Sequence, residues 1–357
     1  MTCTLDIYTD YLISSTGQTS ATGLSRLYDG AISHDQVTRL LTNSYLDSKD
    51  LWSKSKPLIR AAAQQQSADF AVLIIDDSIL EKAHTDANAM ITTHWDHSEK
   101  RFVQGLNFVS LLYQLGQVSL PIAGVLIEKT VAQYNAKRGK YEFKSPFTKN
   151  EYLRQMLTVA QQQVQYRYLL ADSWYSSAEN MNFVLGLNRH FLFALETSRT
   201  VALNQEDRDA GKFQALESLT FPDKQPLKIY LRSVKQAVLI VRQIFINKDG
   251  SQGILYLVSS DTDLDYEQMT TIYKRRWKRG RPAVEEYHKS LKQNASMGKS
   301  PTKTPDTQAN HFYAAMLAYI KLEALKLKCS IGHFQLKAKL YLAGLKAMQQ
   351  QLNLIAA

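Results

Sequence analysis

The chain has 357 residues, of which 45% are hydrophobic and 21% charged, which excludes disorder throughout and is enough for two or three domains. Its 43 Lys and Arg residues outnumber 33 Asp and Glu residues, and the formal net charge of +10 favours polyanionic partners, nucleic acid first. Two cysteines exclude a disulfide framework, the sequence has no apolar run long enough for a transmembrane helix, and its N-terminus lacks signal-peptide features, so we expect a cytoplasmic protein without a membrane partner.

Residues 1–66 are predicted to form a helical DNA-binding region. Two short amphipathic segments flank Asp29-Gly30, and Ser33 is placed to cap the second one. Two short helices joined by a glycine-containing turn fit a helix-turn-helix. The exposed face of the second helix would carry His34, Gln36 and Arg39. The pattern predicts either a DNA-reading unit that uses Arg39 or a plain helical subdomain.

Residues 67–188 are predicted to form the first part of an α/β core. The apolar run 70–75 has the length and branching of a buried strand, which we expect to stop at Asp76. A second apolar strand, 168–171, is closed by Asp172. The other predicted elements in this part are strands over 104–115 and 120–128, joined at Gly116-Gln117, and helices over 150–165 and 176–187.

In residues 189–263 the apolar residues alternate or cluster as they do in strands, and this segment is predicted to be a mainly β insertion. Its predicted strands are 191–195, 228–234, 237–247 and 254–259. Residues 264–357 are predicted to complete the core with helices, and their first part is strongly basic. A polar loop over 295–307 separates that basic part from an apolar helix over 308–328.

The segment His94-Trp95-Asp96-His97 offers alternating metal-binding side chains, but its spacing matches no familiar zinc site. We therefore expect a loop there that packs Trp95 against the sheet. Asp96 and Glu128 are predicted to be structural.

Asp76 and Asp172 are the two acids that follow predicted buried strands, and a serine lies close behind each. A carboxylate at the C-terminal end of such a strand projects into the crevice where open α/β sheets hold their ligands. Two of these carboxylates, joined by a third from a helix, are enough to hold two Mg²⁺ ions. Two such ions would clamp the attacking and leaving oxygens of a phosphodiester. An acid at a strand end is also ordinary turn or helix-cap chemistry.

A third feature is Tyr273-Lys-Arg-Arg276-Trp277, followed by Glu285-Glu-Tyr-His-Lys-Ser-Leu-Lys292. This segment resembles the tyrosine–arginine–glutamate–lysine signature of DDE transposases from bacterial insertion sequences, and it is closest to the group-four and group-seven-hundred-one type. The resemblance extends over most of the chain, including both strand-end acids and the helix from Gln308. It implies an RNase H-like α/β catalytic core with a mainly β insertion and an N-terminal helical region.

The resemblance also implies an activity, a cofactor and partners. The activity is Mg²⁺-dependent cut-and-paste transposition, with Mn²⁺ as a substitute, on transposon-end and target DNA, and the protein would act as a homodimer. The metal-binding catalytic triad would be Asp76, Asp172 and Glu285. The residues that contact the DNA end would be Tyr273, Arg276 and Lys292. From the excess of basic residues over 273–303 alone, phosphate contacts are predicted for Lys289 and Lys292, then Lys299.

One departure concerns the spacing within the signature. Eight residues separate Arg276 from Glu285, whereas the family signature has three. In an unbroken helix these two side chains would lie about 180° apart. Pro282 argues against an unbroken helix, so we expect a first helix that ends near Gly280 and a second that Pro282 opens.

This departure leaves three functional interpretations. Catalysis continues across a loop, or the chain is a catalytically impaired DNA-binding protein of transposase descent, or it is an RNase H-like nuclease without strand transfer. The basic stretch 278–282 also resembles an AT-hook core, and the alternative is a plain basic bulge.

Overall fold

The computed structural model describes residues 1–96, 99–222, 224–247, 249–278 and 281–356. Its strands are β1 (Val72–Glu81), β2 (Ile91–Asp96), β3 (Arg101–Leu115), β4 (Val118–Leu126), β5 (Val131–Asn135), β6 (Lys140–Lys144), β7 (Tyr168–Ala171), β8 (His190–Leu195), β9 (Thr200–Ala202), β10 (Gln214–Ala215), β11 (Leu227–Leu231), β12 (Val238–Ile246), β13 (Gln252–Ser259), β14 (Trp277–Lys278) and β15 (Arg281–Pro282). Its helices are α1 (Leu5–Ser14), α2 (Ala21–Leu27), α3 (His34–Asn43), α4 (Ser48–Gln65), α5 (Lys149–Gln163), α6 (Ala178–Gly186), α7 (Gln205–Asp209), α8 (Tyr266–Tyr273), α9 (Ala283–Gln293), α10 (Pro305–Cys329) and α11 (His333–Ala356).

The centre of the fold is a mixed sheet in which β4, β3, β1, β7 and β8 lie side by side in that order. Strand β3 is antiparallel to both β4 and β1, whereas β7 is parallel to both β1 and β8. The predicted α/β class with an RNase H-like core is confirmed. In the described part of the chain, no helix is long and apolar enough to cross a membrane.

Strand β1 begins at Val72, two residues later than predicted because Ala68–Phe70 form a 3₁₀ turn, and it does not stop at Asp76. It stays paired with β3 as far as Glu81, which lies opposite Gly105. Its pairing with β7, however, extends only to Ile74. Asp76 therefore lies where the neighbouring strand ends, not where its own strand ends. The crevice was predicted at the end of β1. It is present beside Asp76 because the neighbouring strand β7 is short and ends there, while β1 continues.

The segment predicted as a β insertion lengthens the central sheet. Its first strand, β8, pairs in parallel with β7, and β13 and β12 then add in antiparallel order. Strands β11, β9 and β10 follow at that edge. The division of the chain into domains at 66, 188 and 263 stays a prediction.

The N-terminal helices pack on the core. In α1, the Tyr8 hydroxyl lies 2.9 Å from Nδ1 of His311 in α10. In α4, the Ser55 hydroxyl donates to the carbonyl of Pro121 in β4 at 3.0 Å. Residues 1–66 are therefore helical as predicted, and they cover one side of the sheet and the buried helix α10.

The predicted pair of short helices is present as α2 and α3. Asp29 and Gly30 make the turn between them with φ of 50° and 79°. The Ser33 hydroxyl caps α3 by accepting a hydrogen bond from the backbone N–H of Gln36 at 3.3 Å. The side chain of Gln36 was expected on the exposed face, but it is half-buried and accepts a hydrogen bond from the N–H of Cys3.

The helix break that Pro282 predicts is confirmed. Helix α9 begins directly after Pro282, whereas α8 ends at Tyr273 and not near Gly280. A 3₁₀ turn over Lys274–Arg276 and the two-residue strands β14 and β15 connect the helices. Arg279 and Gly280 lie outside the described residues, so the AT-hook interpretation stays a prediction.

Candidate active site

The two strand-adjacent acids line the same cleft. Asp76 projects from β1 beyond the last residue paired with β7, and Asp172 directly follows β7. The Asp172 carboxylate also accepts a hydrogen bond from the N–H of Trp174 at 3.1 Å, which fixes the turn behind it. Both acids border a cavity of about 760 Å³. Residues almost 100 positions apart in sequence are thereby brought to one site.

The two carboxylates are electrostatically coupled. Burial raises the pKa of Asp76 to about 7, against the attraction of Arg276, and the charges of Asp172 and Asp77 raise it further. Burial also raises the pKa of Asp172, and the nearby Asp77 contributes in the same direction. Like charges crowded in a partly buried cleft are stabilised by a cation between them.

Arg276 and Tyr273 are buried beside this pair of acids and contact Asp76 and the backbone next to Asp172. Arg276 is 7% exposed, and its Nη2 lies 3.8 Å from Oδ1 of Asp76. Its Nη1 donates to the Tyr273 hydroxyl at 3.0 Å, and that hydroxyl donates to the carbonyl of Ala171 at 3.3 Å. The contacts connect the C-terminal end of α8 to the end of β7 and to Asp76 within β1. Both residues were expected to contact DNA, but they are buried, and their polar groups face the acids and the protein backbone.

Asp77 has a different environment from Asp76. Its carboxylate forms an ion pair with Lys149 at 2.6 Å and accepts a hydrogen bond from the Tyr175 hydroxyl at 3.0 Å. These contacts occupy both of its oxygens. Asp77 is therefore already engaged by protein partners at both oxygens, and the choice of Asp76 as the metal ligand stays a prediction.

Helix α9 brings one of its two signature residues to the cleft. The Lys292 ammonium lines the cavity and donates to Oγ of Ser78 at 3.0 Å and to the carbonyl of Ile79 at 2.8 Å. Burial lowers the pKa of Lys292. Glu285 is exposed to solvent and is not among the described residues that line this cavity. The structure therefore brings together Asp76, Asp172 and Lys292, and leaves Glu285 outside.

Within the described ranges, no three His, Cys, Asp or Glu side chains lie close enough together to hold a metal ion by themselves. Mg²⁺ does not require three, since one or two carboxylates suffice when water and phosphate oxygens complete its octahedron. Asp76 and Asp172 supply the hard oxygen ligands that this ion prefers, and their mutual repulsion favours its binding. The pair therefore fits Mg²⁺.

Sequence reasoning missed a further acid at the cleft. Glu196 lines the cavity and accepts a hydrogen bond from the Ser173 hydroxyl. It directly follows β8, which is parallel to β7, so the strand-end rule applied to Asp172 would also have found it. Asp96 and Glu99 line the cavity as well, although Asp96 was expected to be only structural.

The region around Trp95 differs from its expected form. Residues Ile91–Asp96 form strand β2 and not a loop, and Trp95 is 42% exposed with its ring 4.9 Å from that of Phe102. His94 pairs with the Thr92 hydroxyl at 2.9 Å, and burial lowers its pKa to about 4. His97 lies outside the described residues.

The remaining predicted DNA contacts lie away from the cleft lining. Lys289 is exposed on α9, with its ammonium 5.4 Å from the ring centre of Phe334. Lys299 is half-buried and donates to the carbonyl of Thr16 at 2.9 Å. Arg39 is exposed on α3. Their roles stay predictions.

Two family models match the sequence. The model described as DDE superfamily endonuclease matches residues 1–214, and the model described as transposase DDE domain matches residues 148–321. No curated protein matches the chain. The first match includes both cleft aspartates, and the second includes Asp172 and the whole signature segment. The chain therefore belongs to the DDE superfamily of endonucleases, with a transposase-type domain and the metal-dependent nuclease chemistry of that family.

Proposed function

We propose that this chain is a cut-and-paste DNA transposase of the group-four or group-seven-hundred-one type. The observation that carries the proposal is the meeting of Asp76, Asp172 and Lys292 in one cleft, two carboxylates to hold metal beside a cation for phosphate. Its substrates would be transposon-end DNA and target DNA in the bacterial cytoplasm, where it would associate with the nucleoid when acting.

We assign the metal to Asp76 and Asp172, with Glu285 as the third ligand. When bound there, Mg²⁺ or Mn²⁺ supplies Lewis-acid activation of water and stabilisation of charge on the phosphate. Glu285 and Lys292 are seven residues apart on α9, so they lie within about 20° of each other around the helix axis. Because Lys292 already reaches the cleft, a shift of the first turn of α9, without rotation of the helix, would bring Glu285 towards the aspartates.

The chain's own cations have separate tasks in this proposal. Buried Arg276 favours the ionised form of Asp76 and orients its carboxylate, and Tyr273 fixes that guanidinium, so both act through the carboxylate. Lys292 and Lys149 border the cleft and neutralise phosphate charge there.

The DNA contacts that we propose outside the cleft are Lys289, Lys299 and Arg39. All three lie on helices or turns next to the core, where they would hold the duplex through its phosphates and contribute to the salt dependence of binding.

A second copy of the chain is the partner that we propose on DNA. Helix α11 supports this, since it exposes apolar side chains that recur at intervals of four and three residues, a spacing typical of paired helices. These residues are Tyr341, Leu345, Met348, Leu352 and Ile355.

The decisive assay uses pre-cut transposon ends, a supercoiled target plasmid and Mg²⁺. We expect joined products, with both ends inserted together in a fraction of the plasmids, because paired active sites act on two ends. A nuclease without strand transfer would degrade or nick the DNA but yield no joined product, and that outcome would contradict the proposal.

The impaired-transposase alternative is favoured by one observation, the exposure of Glu285 behind the insert. Deleting residues 279–283 restores the family spacing between Arg276 and Glu285. If the chain is active across its loop, we expect the deletion to lower donor cleavage, because it displaces α9 and Lys292. Cleavage by the deleted form together with an inactive parent would establish the DNA-binding alternative instead.

A further inference from the structure

Strands β5 and β6 form a two-stranded ribbon separate from the large sheet. Five residue pairs connect them, from Val131 opposite Lys144 to Asn135 opposite Lys140. Every residue of both strands is exposed or half-buried. A two-stranded ribbon is at best marginally stable in water. A partner that covers this ribbon would stabilise it, and the two faces of the ribbon indicate which partner.

One face of the ribbon is aromatic. Paired residues share a face of a sheet, so Tyr134 with Tyr141, and Ala132 with Phe143, lie on the same side. The exposed fractions of the three rings are 56% for Tyr134, 70% for Tyr141 and 63% for Phe143. Exposed aromatic rings on a strand are the platforms on which unpaired bases stack, and they accept any base because every base has a π-face.

The ribbon and the residues that flank it are also strongly basic. Residues 129–149 contain six Lys or Arg residues and one acid, Glu142, so these 21 residues carry half of the formal net charge of +10. Glu142 is itself paired with Arg138 at 2.9 Å. Basic side chains interleaved with aromatic rings favour a nucleic acid over an acidic protein, because phosphates and bases alternate in the same way.

The tip of the ribbon is held in shape before any partner binds. The side-chain oxygen of Asn135 accepts hydrogen bonds from the N–H groups of Lys137 and Arg138, at 3.1 and 3.3 Å. Gly139 has a φ of 63°, a conformation that favours glycine and closes the turn. A preorganised tip loses less conformational entropy on binding.

Both ends of the ribbon are anchored to elements that line the cleft. Before β5, Lys129 donates to the carbonyl of Thr93 in β2 at 3.1 Å. After β6, Lys149 forms its ion pair with Asp77. Five residues from Lys144 to Lys149 span at most about 18 Å, the length of roughly five base pairs of B-DNA. DNA in the cleft would therefore pass within reach of the ribbon.

We propose that the β5–β6 ribbon is a DNA-binding arm that holds a single-stranded stretch of DNA beside the cleft. Bases stack on Tyr141 and Phe143, and the tip residues Lys137, Arg138 and Lys140 contact phosphates. The inference rests on the proposed function in one respect, that DNA is the substrate of the cleft. It does not depend on cleavage or strand transfer.

The test measures binding of the full chain to fluorescent 30-nucleotide DNA in EDTA, with single-stranded and duplex probes of mixed sequence, over a series of salt concentrations. The basic variant carries Lys137→Ala, Arg138→Ala and Lys140→Ala. Affinity decreases with salt, and we expect the magnitude of the slope of log affinity against log salt to be smaller by about two to three for both probes. Each lost phosphate contact reduces that magnitude by about one. The aromatic variant, Tyr141→Ala with Phe143→Ala, is expected to bind the single strand about tenfold more weakly at unchanged slope.

The matched control removes the same charge elsewhere, with Lys212→Ala, Lys228→Ala and Lys235→Ala at exposed positions. We expect its affinity to stay within about twofold of the parent. The arm is overturned if the basic variant equals this control, if the aromatic variant binds the single strand as the parent does, or if the parent does not bind DNA.

The proposal of a DNA-binding arm and the proposed transposase function are tested by different assays. Binding in EDTA with all the expected differences, but without cleavage or joining in Mg²⁺, would sustain the arm and refute the transposase. The melting temperature of each variant is the folding control. If it equals that of the parent, the differences in binding arise from lost contacts and not from misfolding.

Discussion

Asp76→Ala and Asp172→Ala are each expected to abolish Mg²⁺-dependent cleavage at transposon ends, with a loss of about 10³-fold or more. Each substitution removes one of the two carboxylates that meet in the cleft, and metal catalysis of phosphodiester displacement is worth several kcal/mol of transition-state stabilisation. Cleavage of a labelled donor by each variant beside the parent measures the effect. Full activity in either variant would refute the metal assignment.

The stability of these variants separates lost chemistry from lost folding. Burial raises the pKa of Asp76 from 3.8 to about 7, so the folded chain holds a proton there that the unfolded chain releases. The contribution of Asp76 to the free energy of unfolding of the metal-free protein therefore falls as pH rises from about 4 to about 7, and is flat above. We expect Asp76→Asn, which cannot ionise, to lack this fall and to melt a few degrees higher than the parent at pH 8 in EDTA.

The control for both measurements is Asp209→Asn, an exposed acid on α7. We expect it to leave cleavage, melting temperature and pH dependence as in the parent. A melting temperature of Asp76→Asn below that of the parent at pH 8 would show that the carboxylate stabilises the fold, in contradiction to its raised pKa.

Local patterns predicted most of the elements. Strand β7 was predicted at its observed bounds, because four apolar residues end at an acid that caps the next turn. The end of β1 was predicted wrongly because strand length depends on the partner. Strand β3 continues the pairing past the polar residues Asp76–Ser78, and no property of those three residues reveals that.

The candidate site was predicted only in part, because it too depends on which strands are neighbours in the sheet. Asp76 and Asp172 follow from a rule about single strands, but Glu196 becomes a neighbour only once β8 is known to lie parallel to β7. Tyr273 and Arg276 are buried because of the position in which α8 packs on the core. The spacing of residues within the signature gives no information about that position. Motif spacing identified residues near the cleft and misjudged which of them face solvent.

Arg276→Ala is expected to lower the free energy of unfolding by about 3–5 kcal/mol at pH 8, because it leaves the crowded acids without their buried counter-charge. At pH 5 the loss should be clearly smaller, since protonated Asp76 no longer needs a cation. Denaturant unfolding at both pH values in EDTA measures the difference. Arg276→Lys keeps the charge and should retain more of the stability at pH 8.

The same interaction can be isolated in a double-mutant cycle. In an Asp76→Asn background, Arg276→Ala should cost less than it does alone, because the partner charge is already absent. Tyr273→Phe removes only the hydroxyl that connects Arg276 with Ala171, and is expected to cost about 1 kcal/mol at either pH. An Arg276→Ala loss that is equal at pH 5 and pH 8 and unchanged by Asp76→Asn would mean that the guanidinium only fills space. A loss that depends on pH and on Asp76 shows that the guanidinium stabilises the ionised form of this carboxylate, which is the form that binds a metal.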